Sequence, residues 1–292
     1  MKILITGKNG QLAKAFLSSI KKGTSYQVKA YDKKALDITD TNNLESICSE
    51  FKPDIIINTA AFTKVDLAED PSSKNFHVNH LAIRSLALFC MEKKIFLIHF
   101  STDYVHGGLK KTAWLESDDT NPINKYGEAK LLGENEIVKH LNNFIIFRIS
   151  WVFSENSNNF LTKIMKLANE NQSINVVSDQ IGKPTSAYGI AKAVTKILPS
   201  LNGPMGIYNF AEFPEASWAD FAESIVNKAS KIGLIKNEIS INRISSEKFP
   251  TRAARPKNSI LSTKKFQLKF GINPTSWENS LDLILNKMSN NR

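Results

Sequence analysis

The chain has 292 residues, 42% hydrophobic and 23% charged, proportions that allow a sizeable core in one large α/β domain with a smaller lobe. Its 38 Lys and Arg against 28 Asp and Glu leave a formal charge of +10, yet the basic residues are dispersed, without the zinc-finger spacings or aromatic-basic platforms of a nucleic-acid reader. Cys48 and Cys90 are too few for a disulfide scaffold, the apolar runs at 54–57 and 95–100 are too short for a membrane span, and the opening lacks a cleavable signal, so a cytoplasmic protein with no membrane partner is expected.

Taken in order, residues 2–6 read as a strand, 7–10 as a glycine-bearing turn and 11–21 as a helix. A short strand at 28–31 precedes a helix at 40–51, and Pro53-Asp54 introduces an apolar strand at 55–58. A longer helix is expected over 71–93, a strand over 95–101, a helix over 126–139 and a β-rich run over 144–152. This alternation predicts an α/β fold with a Rossmann-type, doubly wound parallel sheet. Beyond it, helices at 160–170, 188–198 and 218–233 alternate with strands at 174–177 and 206–209, and 249–262 reads as a loop. The expected division is a dinucleotide-binding domain at 1–150 and a smaller α/β substrate lobe at 151–292 that returns some segments to the first domain. Paired lysines at 21–22, 93–94 and 264–265 read as solvated helix faces or ends.

Gly7-x-x-Gly10 follows a strand and opens a helix, the setting in which glycine lets phosphates approach helix N-terminal amides; Ala13 serves as the third small residue. The spacing is not Gly-x-Gly-x-x-Gly, and paired glycines also occur in ordinary turns. Asp32 and Asp37 favour NADH at the adenosine ribose, whereas Lys33 and Lys34 favour NADPH, so either cofactor fits the sequence. Ser101-Thr102-Asp103-Tyr104 ends a strand, where open α/β sheets place ligands. Tyr126 and Lys130 stand one helical turn apart, so the lysine can lower the phenol pKa and leave it able to pass a proton, while the Thr102 hydroxyl meets a carbonyl oxygen. The bland alternative is a helix cap by Thr102 and a surface Tyr–Lys pair.

These stretches together resemble the dTDP-4-dehydrorhamnose reductase family, within the extended short-chain dehydrogenase/reductases. The resemblance is carried by GKNGQLA at 7–13, LDITD at 36–40, PDIIINTAAFTKVDLAE at 53–69, STDYV at 101–105 and NPINKYGEAK at 121–130. It continues through FRISWVF at 147–153, NNF at 158–160, SDQIGKPT at 178–185, GIYNF at 206–210 and ARPKNSILSTKKF at 254–266. It implies a catalytic trio of Thr102, Tyr126 and Lys130. It places Gly10, Gln11 and Leu12, beside Gly7, at the cofactor phosphates, Asp37 and Ile38 on the adenosine side, and Ala61, Phe62 and Thr63 at the central dinucleotide, with Tyr126 and Lys130 at the nicotinamide ribose. Thr102, Asp103 and Trp151 approach the deoxysugar nucleotide, and Arg255, with Arg252 beside it, meets its diphosphate.

The implied activity is NAD(P)H-dependent reduction of the C4 ketone of dTDP-4-dehydro-L-rhamnose, with a dTDP-linked deoxyketosugar as partner and a monomer or homodimer as the assembly. Mg2+ assists assembly in some relatives, but no ligand cluster in the sequence assigns it a site. Phe62, His106 and Ala129 depart from the family pattern and leave the sugar open: another dTDP-4-keto-6-deoxysugar is the nearest alternative. The resemblance also extends to a non-catalytic regulatory subunit of methionine adenosyltransferase, against which the retained trio argues.

Overall fold

The computed structural model describes residues 1–20, 25–201 and 205–290. Six parallel strands form the central sheet: β1 (Lys2–Thr6), β2 (Gln27–Tyr31), β3 (Ile55–Asn58), β4 (Phe96–Thr102), β5 (Phe144–Ile149) and, far later in the chain, Gly206–Phe210. The order from one edge is β2, β1, β3, β4, β5 and then 206–210. The order reverses between β1 and β3, and the carboxyl ends beside such a reversal are where doubly wound sheets bind ligands.

Helices cover both faces because the strands alternate two apolar sets. Ile3, Ile5, Ile57, Ile98, Ile145 and Phe147 pack under α1 (Gln11–Ser19). Leu4, Ile56, Leu97 and Ile146 pack on the opposite side, against α2 (Thr41–Phe51) and, past the short α3 (Val65–Ala68), α4 (Ala82–Lys93) and α5 (Lys125–His140). The expected end of the first helix at 21 and the Lys21–Lys22 pair lie outside the described residues. Lys93 pairs with Glu45 and Glu92, and Lys265 donates to the carbonyl of Ile207.

Two sequence expectations are corrected. The helix expected over 71–93 is interrupted: residues His77–Leu81 widen into a π-turn before α4. Asn79 lies in that turn and turns its amide to the backbone of Phe62, a tertiary demand that helical periodicity does not contain. The run expected over 144–152 also breaks, because Trp151 takes φ +48 between β5 and β6 (Val152–Phe153).

A second core follows. It gathers α6 (Phe160–Glu170), β7 (Ser173–Val177) and later elements, while the two-residue strands β8 (Ile181–Gly182) and β9 (Thr185–Ser186) pair with a later two-residue strand and with β6. Then α7 (Ala187–Ile197) packs against α1, and β10, the strand 206–210, completes the first sheet. After β11 (Ala216–Ser217), α8 (Trp218–Lys231) and β12 (Ser240–Ile244), α9 (Lys264–Phe270) sends Phe266 into the first core. The chain closes with α10 (Trp277–Asn290), whose Trp277, Leu281, Ile284 and Leu285 enter the second core. No helix among the described residues is long and apolar enough to cross a membrane.

Glu212 joins these parts from a fully buried position. It accepts bonds from the Ser186 amide and from the hydroxyls of Ser186, Thr275 and Ser280, tying β9 and α10 to the end of β10. Burial nevertheless pushes its carboxyl up to about 7, from an ordinary 4.5. Between those values the folded chain keeps a proton that the unfolded chain has released, so stability falls as pH rises through the window. Urea unfolding at mildly acid and mildly alkaline pH should show this loss, roughly 2 kcal/mol, and Glu212→Gln should flatten it.

Candidate active site

At the carboxyl end of β1 the chain turns through Gly7 at φ +72, and a Cβ there would lie 3.0 Å from the Ala60 nitrogen. Only glycine meets both demands. Gly10 then caps α1 with extended backbone and no side-chain bond to the first-turn amides, leaving a helix terminus suited to an anion. The side chains of the neighbouring candidates do other things. Leu12 and Ile38 are core residues. Gln11 donates to the Val152 carbonyl at 3.2 Å and accepts from Ser154 and Asn159, so it fastens α1 to the second core. Asp32 accepts from the Lys34 and Ala35 amides and from Asn9. Asp37 binds both the amide and the hydroxyl of Thr39; these bonds outweigh its burial and hold its carboxyl below the usual range. Ala61, Phe62 and Thr63 follow β3, with the backbone of Phe62 gripped from both sides by Asn79 at 2.9 and 3.1 Å.

The expected trio meets beyond β4. Thr102 ends that strand, donates to Asp103 Oδ1 at 2.9 Å and accepts from the Tyr104 amide at 3.2 Å, so it caps the turn that follows. Asn124 caps α5 through the Gly127 amide at 2.8 Å, presenting Tyr126 and Lys130 from the first two turns. Glycines let this helix approach closely: a Cβ at Gly127 would fall 2.1 Å from the Tyr104 carbonyl oxygen, and one at Gly133 would fall 2.3 Å from that of Asn79.

Lys130 is 1% exposed and donates to the Phe100 carbonyl at 2.6 Å, with His99 Nε2 at 3.2 Å. Burial brings its ammonium down to about 8, with Glu134 one turn later opposing the shift. Glu134 is itself held by Arg148 in a buried two-pronged pair, Nη2 to Oε2 at 2.7 Å. The phenol of Tyr126 is raised above its ordinary range, by burial first and by the Asp103 carboxylate second, with Thr102 opposing. The net shift is upward, so burial outweighs the lowering expected from the lysine charge. The tyrosine is therefore protonated at neutral pH, the form a proton donor needs.

On the substrate side expected from sequence, Asp103 is buried and pushed up to about 7 by desolvation, against the Thr102 hydroxyl foremost. Its Oδ2 has no hydrogen-bond partner among the described residues. The Trp151 ring lies flat on Trp218, centroids 3.5 Å apart at 4°, and its indole nitrogen donates to Ser259 at 3.2 Å. Arg255 is taken up by Asp66 in a bidentate pair, with Nη2 to Oδ2 at 2.7 Å, and Arg252 stands 3.6 Å from Asp70. A substrate diphosphate at these arginines thus has carboxylates to displace or share. His106 stacks on Trp114 at 4.5 Å instead of standing free. Among the described residues, no group of three His, Cys, Asp or Glu could hold a metal ion.

Sequence reasoning took Asn58 only as part of a strand end and did not single out Thr6, Asn75, Asn79 and His99; all five are buried. The signal was available in part: Thr6 and Asn58 are polar ends of apolar strands, and His99 interrupts another.

The family model described as "RmlD substrate binding domain" matches residues 1–290. The dTDP-4-dehydrorhamnose reductase of Aggregatibacter actinomycetemcomitans is 37% identical over 97% of this chain and 98% of that protein. The dTDP-4-dehydrorhamnose reductase of Sinorhizobium fredii is 36% identical over 96% of this chain and 95% of that protein. The crystal structure of the Bacillus anthracis dTDP-4-dehydrorhamnose reductase, in complex with NADP, superposes with a TM-score of 0.91 at 32% identity, covering 98% of this chain and 99% of that one. With a Gly7–Gly10 cradle and Thr102, Tyr126 and Lys130 at one sheet end, and with likeness over nearly its whole length, the chain belongs to the dTDP-4-dehydrorhamnose reductase family.

Proposed function

We propose that the protein reduces the C4 ketone of dTDP-4-dehydro-L-rhamnose to dTDP-L-rhamnose, using NADPH or NADH. The observation that carries this reading is the meeting of Thr102, Tyr126 and Lys130 at the carboxyl ends of the parallel strands. The cradle fits a dinucleotide: the close approach at Gly7 and the uncapped first turn of α1 leave backbone amides for a diphosphate. Gly7, Gly10 and the amides of Gln11 and Leu12 would hold it, with Asp37 and Ile38 on the adenosine side and Ala61, Phe62 and Thr63 near its middle. A reduced nicotinamide, when bound, supplies a hydride for the carbonyl carbon.

The chain's own part is to hold the ketone and supply the proton. The Thr102 hydroxyl donates to the carbonyl oxygen as negative charge grows there. Tyr126, kept protonated by burial beside Asp103, transfers its phenolic proton to that oxygen. Lys130 supplies a donor beside the tyrosine, and its charge favours the phenolate left behind. Trp151 offers a flat apolar wall to the sugar, and Asp103 a buried carboxyl for its hydroxyl groups. Arg255 contributes charge-assisted bonds to the diphosphate.

The direct test is substrate-dependent oxidation of NADPH and NADH in parallel, with dTDP-4-dehydro-L-rhamnose and identification of the product. Formation of dTDP-L-rhamnose is expected. Turnover only with a different 4-ketosugar nucleotide would reassign the substrate, and none with either would remove the reductase reading.

Two further outcomes follow from the site. Tyr126→Phe should lower kcat by about 10²- to 10⁴-fold while leaving the cofactor Kd within a few-fold, measured by fluorescence titration. The kcat/KM profile should decline above about pH 8, because Lys130 carries its charge below its lowered pKa and loses it above. A profile flat to strongly alkaline pH would rule the lysine charge out of the free-enzyme requirement.

A further inference from the structure

A chain of hydrogen bonds runs from the backbone to Lys130, and its direction is set at the far end. The Ala60 amide, which can only donate, gives its hydrogen to Thr6 Oγ1 at 3.3 Å. The Thr6 hydroxyl donates in turn to Asn58 Oδ1 at 2.6 Å, so the amide nitrogen of Asn58 faces His99 Nδ1 at 3.0 Å. A neutral imidazole has one accepting nitrogen and one N–H. Because Nδ1 accepts from Asn58, the hydrogen resides on Nε2, which stands 3.2 Å from Lys130 Nζ. Thr6, Asn58, His99 and Lys130 are each no more than 1% exposed, so bulk water does not compete for these bonds.

The reverse direction is less well satisfied. It would turn the oxygen of Asn58 toward an Nδ1–H and make Thr6 Oγ1 accept from both Asn58 and Ala60. The buried hydroxyl hydrogen of Thr6 would then need a new acceptor in the core.

We propose that His99 is a positioning residue for Lys130: fixed by Asn58 and Thr6, it presents Nε2–H to the lysine nitrogen and sets how readily Lys130 gives up its proton. An N–H facing the nitrogen opposes an ammonium and favours the lone pair of an amine. The other groups around Lys130 are Tyr126 one turn earlier on α5, the Phe100 carbonyl on β4, and Glu134 one turn later. Glu134 favours the ammonium but is engaged by Arg148 from β5, while Asp103 acts on the tyrosine. Burial and the lysine charge hold His99 itself well below the usual imidazole range, so it stays neutral while Lys130 titrates. The consequence for turnover rests on the part assigned to Lys130 in the proposed reaction; the pairing itself does not.

The test therefore begins without substrate or cofactor. In the full chain carrying 15N-labelled lysine, the Lys130 Nζ resonance is assigned with Lys130→Arg and followed by NMR from neutral to strongly alkaline pH. His99→Leu should raise the Lys130 pKa by about 1 unit, because the opposing N–H is gone. His99→Gln, whose side-chain amide can donate to Nζ, should stay within about 0.3 units of the parent. Asn58→Leu, which frees the imidazole to take its other tautomer, should shift the value upward like His99→Leu and serves if that variant does not fold. An unchanged or lowered pKa in the leucine variants, or glutamine behaving like leucine, overturns the proposal. A purely structural His99 would lower the unfolding temperature without moving this titration. In parallel, an alkaline limb of kcat/KM that follows the NMR value supports the link to turnover. A limb that stays fixed while the NMR value moves leaves the pairing standing and counts against Lys130 in the proposed function.

Discussion

A lysine nitrogen buried inside an α/β core is the constraint on which the rest of this site depends. Desolvating an ammonium costs several kcal/mol unless charge and hydrogen bonds compensate. Lys130 receives compensation from the Phe100 carbonyl and, one turn along its own helix, Glu134, while its nitrogen also meets His99. Each partner imposes a further demand. Glu134 requires Arg148 on β5, and His99 requires Asn58 on β3, which requires Thr6 on β1. Four adjacent strands therefore carry polar residues at or near their carboxyl ends, although their preceding residues are among the most apolar in the chain. The helix bearing the lysine must also lie close, which is why Gly127 and Gly133 meet the carbonyls of Tyr104 and Asn79.

The second core is fastened to this frame chiefly by polar contacts. Gln11 bonds to Val152, Ser154 and Asn159, Glu212 gathers donors from β9 and α10, and Glu155 takes bonds from Tyr188 and Lys287. Trp151 lies at the junction in a left-handed conformation that costs about 1–3 kcal/mol for a bulky residue. Its ring is retained by Trp218, by Ser259 and by the missing side chain of Gly182, where a Cβ would come within 2.4 Å of the indole.

Charge is similarly local. The excess of basic residues suggests an anionic partner, yet the two arginines best placed by sequence for a diphosphate are met by Asp66 and Asp70. These pairs join the 249–262 segment to the region around α3, so the contacts that neutralise the arginines also fasten a late part of the chain beside the end of β3.

The sheet and its parallel sense were legible in the sequence, as were the residues proposed for the trio, because strand alternation, Gly7, Gly10 and the Tyr126–Lys130 spacing are local patterns. The π-turn at 77–81, the break at Trp151 and the helix α10 were not read from it. The first two answer distant partners, Phe62 and Trp218, and no periodicity encodes those. The direction of the tyrosine pKa was misread for the same reason: the spacing placed a cation nearby, but burial and Asp103 decide the balance. Sequence alone determined which residues could carry the chemistry, since their kind and order are local properties. Only the tertiary structure decided their protonation and partners, because desolvation and hydrogen-bond direction arise where strands and helices remote in sequence close around one buried nitrogen.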